Sequence, residues 1–199
     1  LHRLPGARIA GQRALALSGL APGALDFVEL YSCFPIAVEL YATELGIPAD
    51  RDWTVTGGMP FAGGPLNNYV LQATARMAEL LREKPGASGL VSSVSGYLTK
   101  QGFGVWSADP GPRGFVFADV SAEVAAESPP RTVVPPADGV ARICGYTVMY
   151  HNDARVCGVA LLDQPDGTRT LANTPDQALM DRLESEECCG RDVRLAEGR

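Results

Sequence analysis

The stretch Thr54-Val55-Thr56-Gly57-Gly58-Met59-Pro60-Phe61-Ala62-Gly63-Gly64-Pro65-Leu66-Asn67-Asn68-Tyr69-Val70 holds the residues of this chain best suited to chemistry. Its glycine pairs let the backbone turn sharply or approach another surface closely. A helix opening after Pro65 would aim its unpaired N–H groups and positive dipole end back at the loop. Such a place holds a negative or developing negative charge. Asn67 and Asn68 add amide donors for a carbonyl oxygen, and their plain alternative is to stabilise the turn. Glycine punctuation before a helix is also an ordinary turn, so the pattern alone leaves both readings open.

Two further segments carry reactive side chains. In Tyr31-Ser32-Cys33-Phe34-Pro35, Cys33 precedes a helix start, where a thiol pKa is lowered; the alternative is a small buried hydrophobe. Tyr31 reads the same two ways, as an oxyanion partner or as a packed ring bonding the backbone. In Ser95-Gly96-Tyr97-Leu98-Thr99-Lys100, the tip of a hairpin, Lys100 suits a phosphate or plain solvent, while the next residue, Gln101, cannot shuttle a proton. His2 and His151 are isolated, and no metal site is expected. The five cysteines (33, 144, 157, 188 and 189) fit no zinc spacing, and free thiols in a reducing cytoplasm are expected over a disulfide framework.

The elements that must position these residues follow from periodicity. A helix is predicted over 7–20, with Ile9, Ala10, Ala14, Leu15 and Leu17 apolar. Phe27 to Leu30 reads as a strand, and Pro35 to Leu45 as a helix closed by Gly46. A third helix, from about Leu66 to Glu83, carries Val70, Leu71, Ala73, Ala75, Met77, Ala78, Leu80 and Leu81 almost all round, which predicts burial between layers. Gly89 to Val94 and Phe103 to Ser107 read as an antiparallel hairpin. Asp109-Pro110-Gly111-Pro112 is a break, placing a domain boundary between 1–112 and 113–199. Beyond it, strands at 140–150, 155–163, 168–172 and 192–195 and a helix capped by Thr174, with Pro175 first and Gln177 completing a capping box, predict a small open barrel.

Composition narrows the function. A chain of 199 residues with 46% hydrophobic and 20% charged residues is globular. A net charge of −6 argues against nucleic acid, which needs clustered Lys and Arg. No apolar run approaches the ~20 residues of a membrane span. The chain opens on Leu1 without a Met or a signal-peptide layout, which is read as a fragment or a processed chain.

Taken in order, Tyr31-Ser32-Cys33-Phe34, Gly63-Gly64-Pro65 and Ser95-Gly96 resemble the three active-site loops in the C-terminal half of thiolases. The chain is most similar to thiolase-like proteins of type 1, usually labelled acetyl-CoA acetyltransferases, which add a small C-terminal domain. The resemblance implies an α/β fold: an incomplete thiolase-like half of layered helices and sheet over 1–112. A β-rich domain like an oligonucleotide/oligosaccharide-binding barrel follows over 113–199. It also implies acyl-CoA handling in lipid metabolism. Thiolase chemistry needs a nucleophilic Cys, an activating His, a second Cys and oxyanion holes. The nucleophile belongs to the family's N-terminal half. The His position falls on Gly64, the second Cys near Ser93 or Ser95, the oxyanion residue on Tyr31, and Cys33 matches a loop Cys. No catalytic residue is assigned beyond the loop positions Tyr31, Cys33, Gly64 and Ser95, and the chain alone is expected to be inactive. Gly63, Gly64, Asn67, Asn68, Tyr97 and Lys100 are expected to meet a coenzyme A thioester, bound non-covalently as substrate or ligand. Gly57-Gly58, Gly63-Gly64 and Ser95-Gly96 are expected to converge on one pocket walled by Asn67, Tyr97 and Cys33. Three readings stay open: the C-terminal portion of an acyltransferase, a non-catalytic thioester-binding protein, or a partner subunit for a thiolase N-terminal half.

Overall fold

The computed structural model describes residues 3–111 and 114–196. His2 and Pro112, both named above, lie outside the described residues. The chain divides into two compact units, Leu1–Pro129 and Pro130–Arg199.

The first unit is a three-stranded sheet with helices on both faces. Its elements are α1 (Pro5–Ser18), β1 (Phe27–Glu29), α2 (Pro35–Leu45), the one-turn α3 (Met59–Ala62), α4 (Tyr69–Glu83), β2 (Ser88–Ser95), β3 (Lys100–Ser107) and α5 (Ser121–Glu127). The strand order is β1-β2-β3, with β1 parallel to β2 and β3 antiparallel to it. Successive β2 residues point to opposite faces. Leu90 therefore joins a core with Ala7 and Leu15 of α1 and Tyr41 and Leu45 of α2. Val91 joins another with Ala73, Met77 and Leu81 of α4.

Three expectations for this unit need correction. The first helix lies at Pro5–Ser18, and its buried stripe is Ala7, Gly11 and Leu15. The third begins at Tyr69, because Leu66 sits at φ 49, a left-handed turn that no helix can run through. Nor is α4 buried all round. Tyr69, Ala73, Met77 and Leu81, four apart, form one buried stripe, while Leu71 is 67% exposed. Apolar Ala, Val and Leu on several sides predict burial between layers, but the unit covers only one face.

The expected break at 109–112 and the observed division after Pro129 differ. The reason is α5, which no pattern announced. Arg8 of α1 bonds Glu127 and Arg13 bonds Glu123 at 2.7 Å, tying the segment after the break back onto the first unit.

The second unit is a four-stranded antiparallel sheet in the order β6-β5-β4-β7, built from β4 (Gly139–His151), β5 (Ala154–Asp163), β6 (Arg169–Thr174) and β7 (Asp192–Leu195). Asn152 and Asp153, both at positive φ, make the tight two-residue turn between β4 and β5 that matches strand twist. Irregularities at Ile143/Gly145 and Met149/Tyr150 bend β4. Helix α6 (Gln177–Ser185) buries Met180, and the core gathers Ile143, Leu162, Ala172, Cys188 and Leu195. Its cap is Asp176, not Thr174. The Asp176 carboxylate accepts from Ala178 N at 2.8 Å and Leu179 N at 3.2 Å.

Candidate functional site

A cavity of about 240 Å³ lies where β1 ends and α2 begins. Leu30, just after β1, lines one side, and Ser32 follows it on the loop. Pro35 and Val38 come from the first turn of α2. Trp53, Thr54, Gly57, Gly58 and Pro60 complete the lining from the glycine-rich stretch. Proline at the start of α2 is favourable there, since its missing N–H would be unpaired anyway. The indole of Trp53 is anchored by donation to Pro48 O at 2.9 Å.

Beside the cavity runs a polar network that no motif pointed to. Glu29 on β1 is fully buried. Its Oε2 accepts from Thr54 Oγ1 at 2.9 Å, Val55 N at 2.7 Å and Thr56 N at 3.0 Å. Its Oε1 accepts from Thr56 Oγ1 at 3.1 Å and from the phenol of Tyr69, itself fully buried. Burial, together with the bond to Glu29, raises the Tyr69 phenol above its ordinary range, so it stays a neutral donor. Ser32 Oγ accepts from Met59 N at 2.9 Å, and Gly58 N donates to Thr56 Oγ1 at 3.1 Å.

The residues singled out by sequence fall in different places. Tyr31 is half-buried, donates its N–H to Ser92 Oγ at 2.8 Å and packs edge-on to Tyr69 at 5.4 Å between centroids. Burial pushes its phenol up. Cys33 is also half-buried and packs against Ala37, Leu40 and Leu98; burial raises its thiol, the opposite of what a helix start does for a reactive cysteine. Gly63, Gly64, Asn67, Asn68, Ser95 and Lys100 are exposed, and Tyr97 is 92% exposed. None of these, nor Gly96, lines the cavity, which takes only Gly57 and Gly58 of the three glycine loops. The expected convergence on one pocket walled by Asn67, Tyr97 and Cys33 is therefore not what this cavity shows. The physical reason lies in Leu66: its left-handed turn and the later helix start carry 63–68 out to the surface.

The hairpin end has its own anchor. Tyr41, fully buried, bonds Gln101 Oε1, and Gln101 Nε2 donates to Leu98 O at 2.7 Å. Burial drives the Tyr41 phenol far above its usual range. Both side-chain ends of Gln101 are thereby committed to structure.

Residues 119–198 match the family model for the additional C-terminal domain of thiolase-like proteins type 1. The whole chain is similar to the crystal structure of a monomeric SCP2-thiolase-like protein type 1 from Mycobacterium smegmatis. The TM-score is 0.83 and the identity 32%, over 96% of this chain and 43% of that one. No curated protein matches the sequence. The fold is thiolase-like, and residues 119–198 resemble the additional C-terminal domain of thiolase-like proteins type 1. It spans less than half the length of the solved relative. Among the described residues, no helix is long and apolar enough to cross a membrane.

Proposed function

We propose that this chain binds the acyl end of a coenzyme A thioester and neither condenses nor cleaves it. The observation that carries this reading is the cavity lining: apolar walls from Leu30, Val38, Trp53 and two prolines, with no ionisable side chain among them. A group able to take or give a proton near neutral pH is what acyl transfer needs and this wall lacks. The hydroxyl of Thr54 is committed to Glu29, whereas Ser32 O–H has only a long 3.4 Å contact to Tyr69. Ser32, held by Tyr69 only through that long contact, is thus the lining hydroxyl best able to reach a thioester carbonyl. The resemblance supports the same conclusion, since Gly64 and Ser93 or Ser95 stand where thiolases place their His and Cys.

A second reading rests on the exposed apolar side chains of Phe61, Leu66 and Tyr97, at 85, 93 and 92%. Surface of that kind suits a covering partner. A thiolase-like N-terminal half, in the same or another chain, is the partner proposed, with the complete assembly being the acyltransferase. A cytoplasmic setting, where coenzyme A thioesters and free thiols coexist, fits either reading.

Calorimetry with acetyl-CoA tests the binding reading. Ser32→Ala is expected to weaken affinity about five-fold, one ordinary hydrogen bond. Gly58→Val is expected to abolish it. Unchanged affinity in both variants, or acetoacetyl-CoA cleavage by the pure chain, overturns the proposal.

A further inference from the structure

Glu29 does not line the cavity, yet it is the most expensively placed side chain beside it. It is fully buried, and among the described residues no cation pairs with it. A buried carboxylate is tolerated only where donors replace the lost water. Here five do so: Val55 N, Thr56 N, Thr54 Oγ1, Thr56 Oγ1 and Tyr69 OH.

Following the protons outward shows what this arrangement fixes. The Thr56 hydroxyl donates inward to Glu29, so its lone pair is left to accept Gly58 N–H. The Tyr69 hydroxyl also donates inward, so its oxygen is left to accept from Ser32 Oγ, which in turn accepts Met59 N–H. Two branches, joined by a 2.9 Å contact between Thr56 Oγ1 and Tyr69 OH, thus run from one carboxylate to Gly58 and Ser32 of the cavity wall. The Thr54 hydroxyl of that wall donates to the carboxylate directly.

We infer that Glu29 is a positioning residue for the cavity: as a buried acceptor it sets the hydroxyl directions of Thr56 and Tyr69, and through them places Gly58 and the Ser32 hydroxyl. Only the ligand arm of the test rests on the thioester-binding reading; the other arm is read on the free protein.

The variant is Glu29→Gln, equal in shape but bringing an NH₂ donor against donors. Amide hydrogen exchange in the full chain is followed by NMR. The expected result is exchange at least about ten-fold faster at Val55, Thr56, Gly58 and Met59, since their protection depends on local rather than global opening. Leu90, at the sheet centre, should be unchanged. Thr56→Val should accelerate Gly58 most, because Thr56 Oγ1 accepts its N–H directly, and Thr56→Ser should restore it. In the ligand arm, acetyl-CoA affinity in Glu29→Gln should fall about ten-fold, the 1.4 kcal/mol of a lost wall contact. Unaltered exchange at Gly58 and Met59 in Glu29→Gln overturns the inference, as does acceleration extending equally to Leu90, which marks a merely structural role. If Glu29→Gln does not fold, the Thr56 pair decides by the same amides. If the unmodified chain does not bind acetyl-CoA, the thioester reading fails while the exchange arm still judges Glu29.

Discussion

Gly57-Gly58 and Gly63-Gly64 flank one short helix and read alike, yet they end in different physical states. Gly58 (φ 79, ψ 174) and Gly63 (φ 78, ψ 164) even share a backbone conformation open essentially to glycine only. Gly58 is buried, with Ser32 Oγ 3.1 Å from where a Cβ would stand; Gly63 is exposed, with nothing within 4 Å. What separates them is the acceptor underneath. The 54–58 segment lies over the Glu29 carboxylate, while 63–68 has no such anchor and carries Asn67 and Asn68 into solvent. A glycine pair reports a backbone conformation; a binding wall needs a partner that holds it.

The largest expected effect breaks the comparison at its base. Glu29→Ala leaves the Val55, Thr56 and Tyr69 donors without their acceptor, and each buried unsatisfied donor costs about 1–3 kcal/mol. Water entering the space recovers part of this, so the first unit should lose about 3 kcal/mol in denaturant unfolding. A loss under about 1 kcal/mol would mean that the two glycine loops are held equally loosely.

Next comes the pair itself. Alanine at either glycine brings the strain of a disfavoured backbone, about 1–3 kcal/mol. At Gly58 the new methyl also presses on Ser32, so Gly58→Ala should cost about 2–3 kcal/mol and remove acetyl-CoA binding. At Gly63 the exposed segment can re-settle, and Gly63→Ala should cost less than about 1 kcal/mol with binding kept. Equal losses in thermal unfolding and calorimetry would erase the distinction.

Much of this fold was legible because its signals are local. Pro35 and Gly46 bracket α2 at the expected residues, and all seven strands lie within a few residues of where alternation or apolar runs put them. The misses involve non-local partners. Pro65 is a sound first helical residue, but the left-handed Leu66 that follows delays α4 to Tyr69. Glu29 was unreadable as a site residue because its donors sit 25 to 40 positions away, on a loop and on a later helix. One signal did exist: a strand covered on both faces by helices has no solvent side on which to put a glutamate. The candidate residues Gly63, Gly64, Asn67, Asn68, Tyr97 and Lys100 have suitable chemistry and lie in or beside loops that resemble those of thiolases. Neither property reports whether a loop turns toward the cavity.

A smaller effect sharpens the comparison from the unanchored side. Leu66 is 93% exposed at φ 49. That conformation costs a non-glycine residue about 1–2 kcal/mol. Glycine relieves it but adds about 0.5–1 kcal/mol of unfolded-chain entropy. Leu66→Gly should therefore stabilise the first unit by about 0.5 kcal/mol in urea unfolding. A loss instead would show that the exposed leucine is held by packing, and that 63–68 is anchored after all.

The smallest effect concerns the other carboxylate near this strand. Asp26, just before β1, bonds Lys84 and accepts from Ser88 N at 2.9 Å. The bond to Lys84, then that backbone N–H, holds its carboxyl below the usual aspartate range. A depressed acid adds stability that is complete above the unfolded aspartate value, near ~4, and is lost as pH falls through the lower folded value. The side chains are 59% and 26% exposed, so solvent screening keeps the contribution below about 1 kcal/mol. Stability should hold from neutral pH down to about 4 and then decline, and Asp26→Asn should lower it slightly at neutral pH while flattening that decline. Amide exchange at Thr56 and Gly58 should not change in Asp26→Asn at pH 7, because the Asp26 side chain bonds Lys84 and Ser88, and the bond that Arg51 makes is to the backbone carbonyl, which the substitution keeps. If it accelerates those amides as much as Glu29→Gln does, the strand and loop move as one unit, and burial of Glu29 is not what sets the two glycine loops apart.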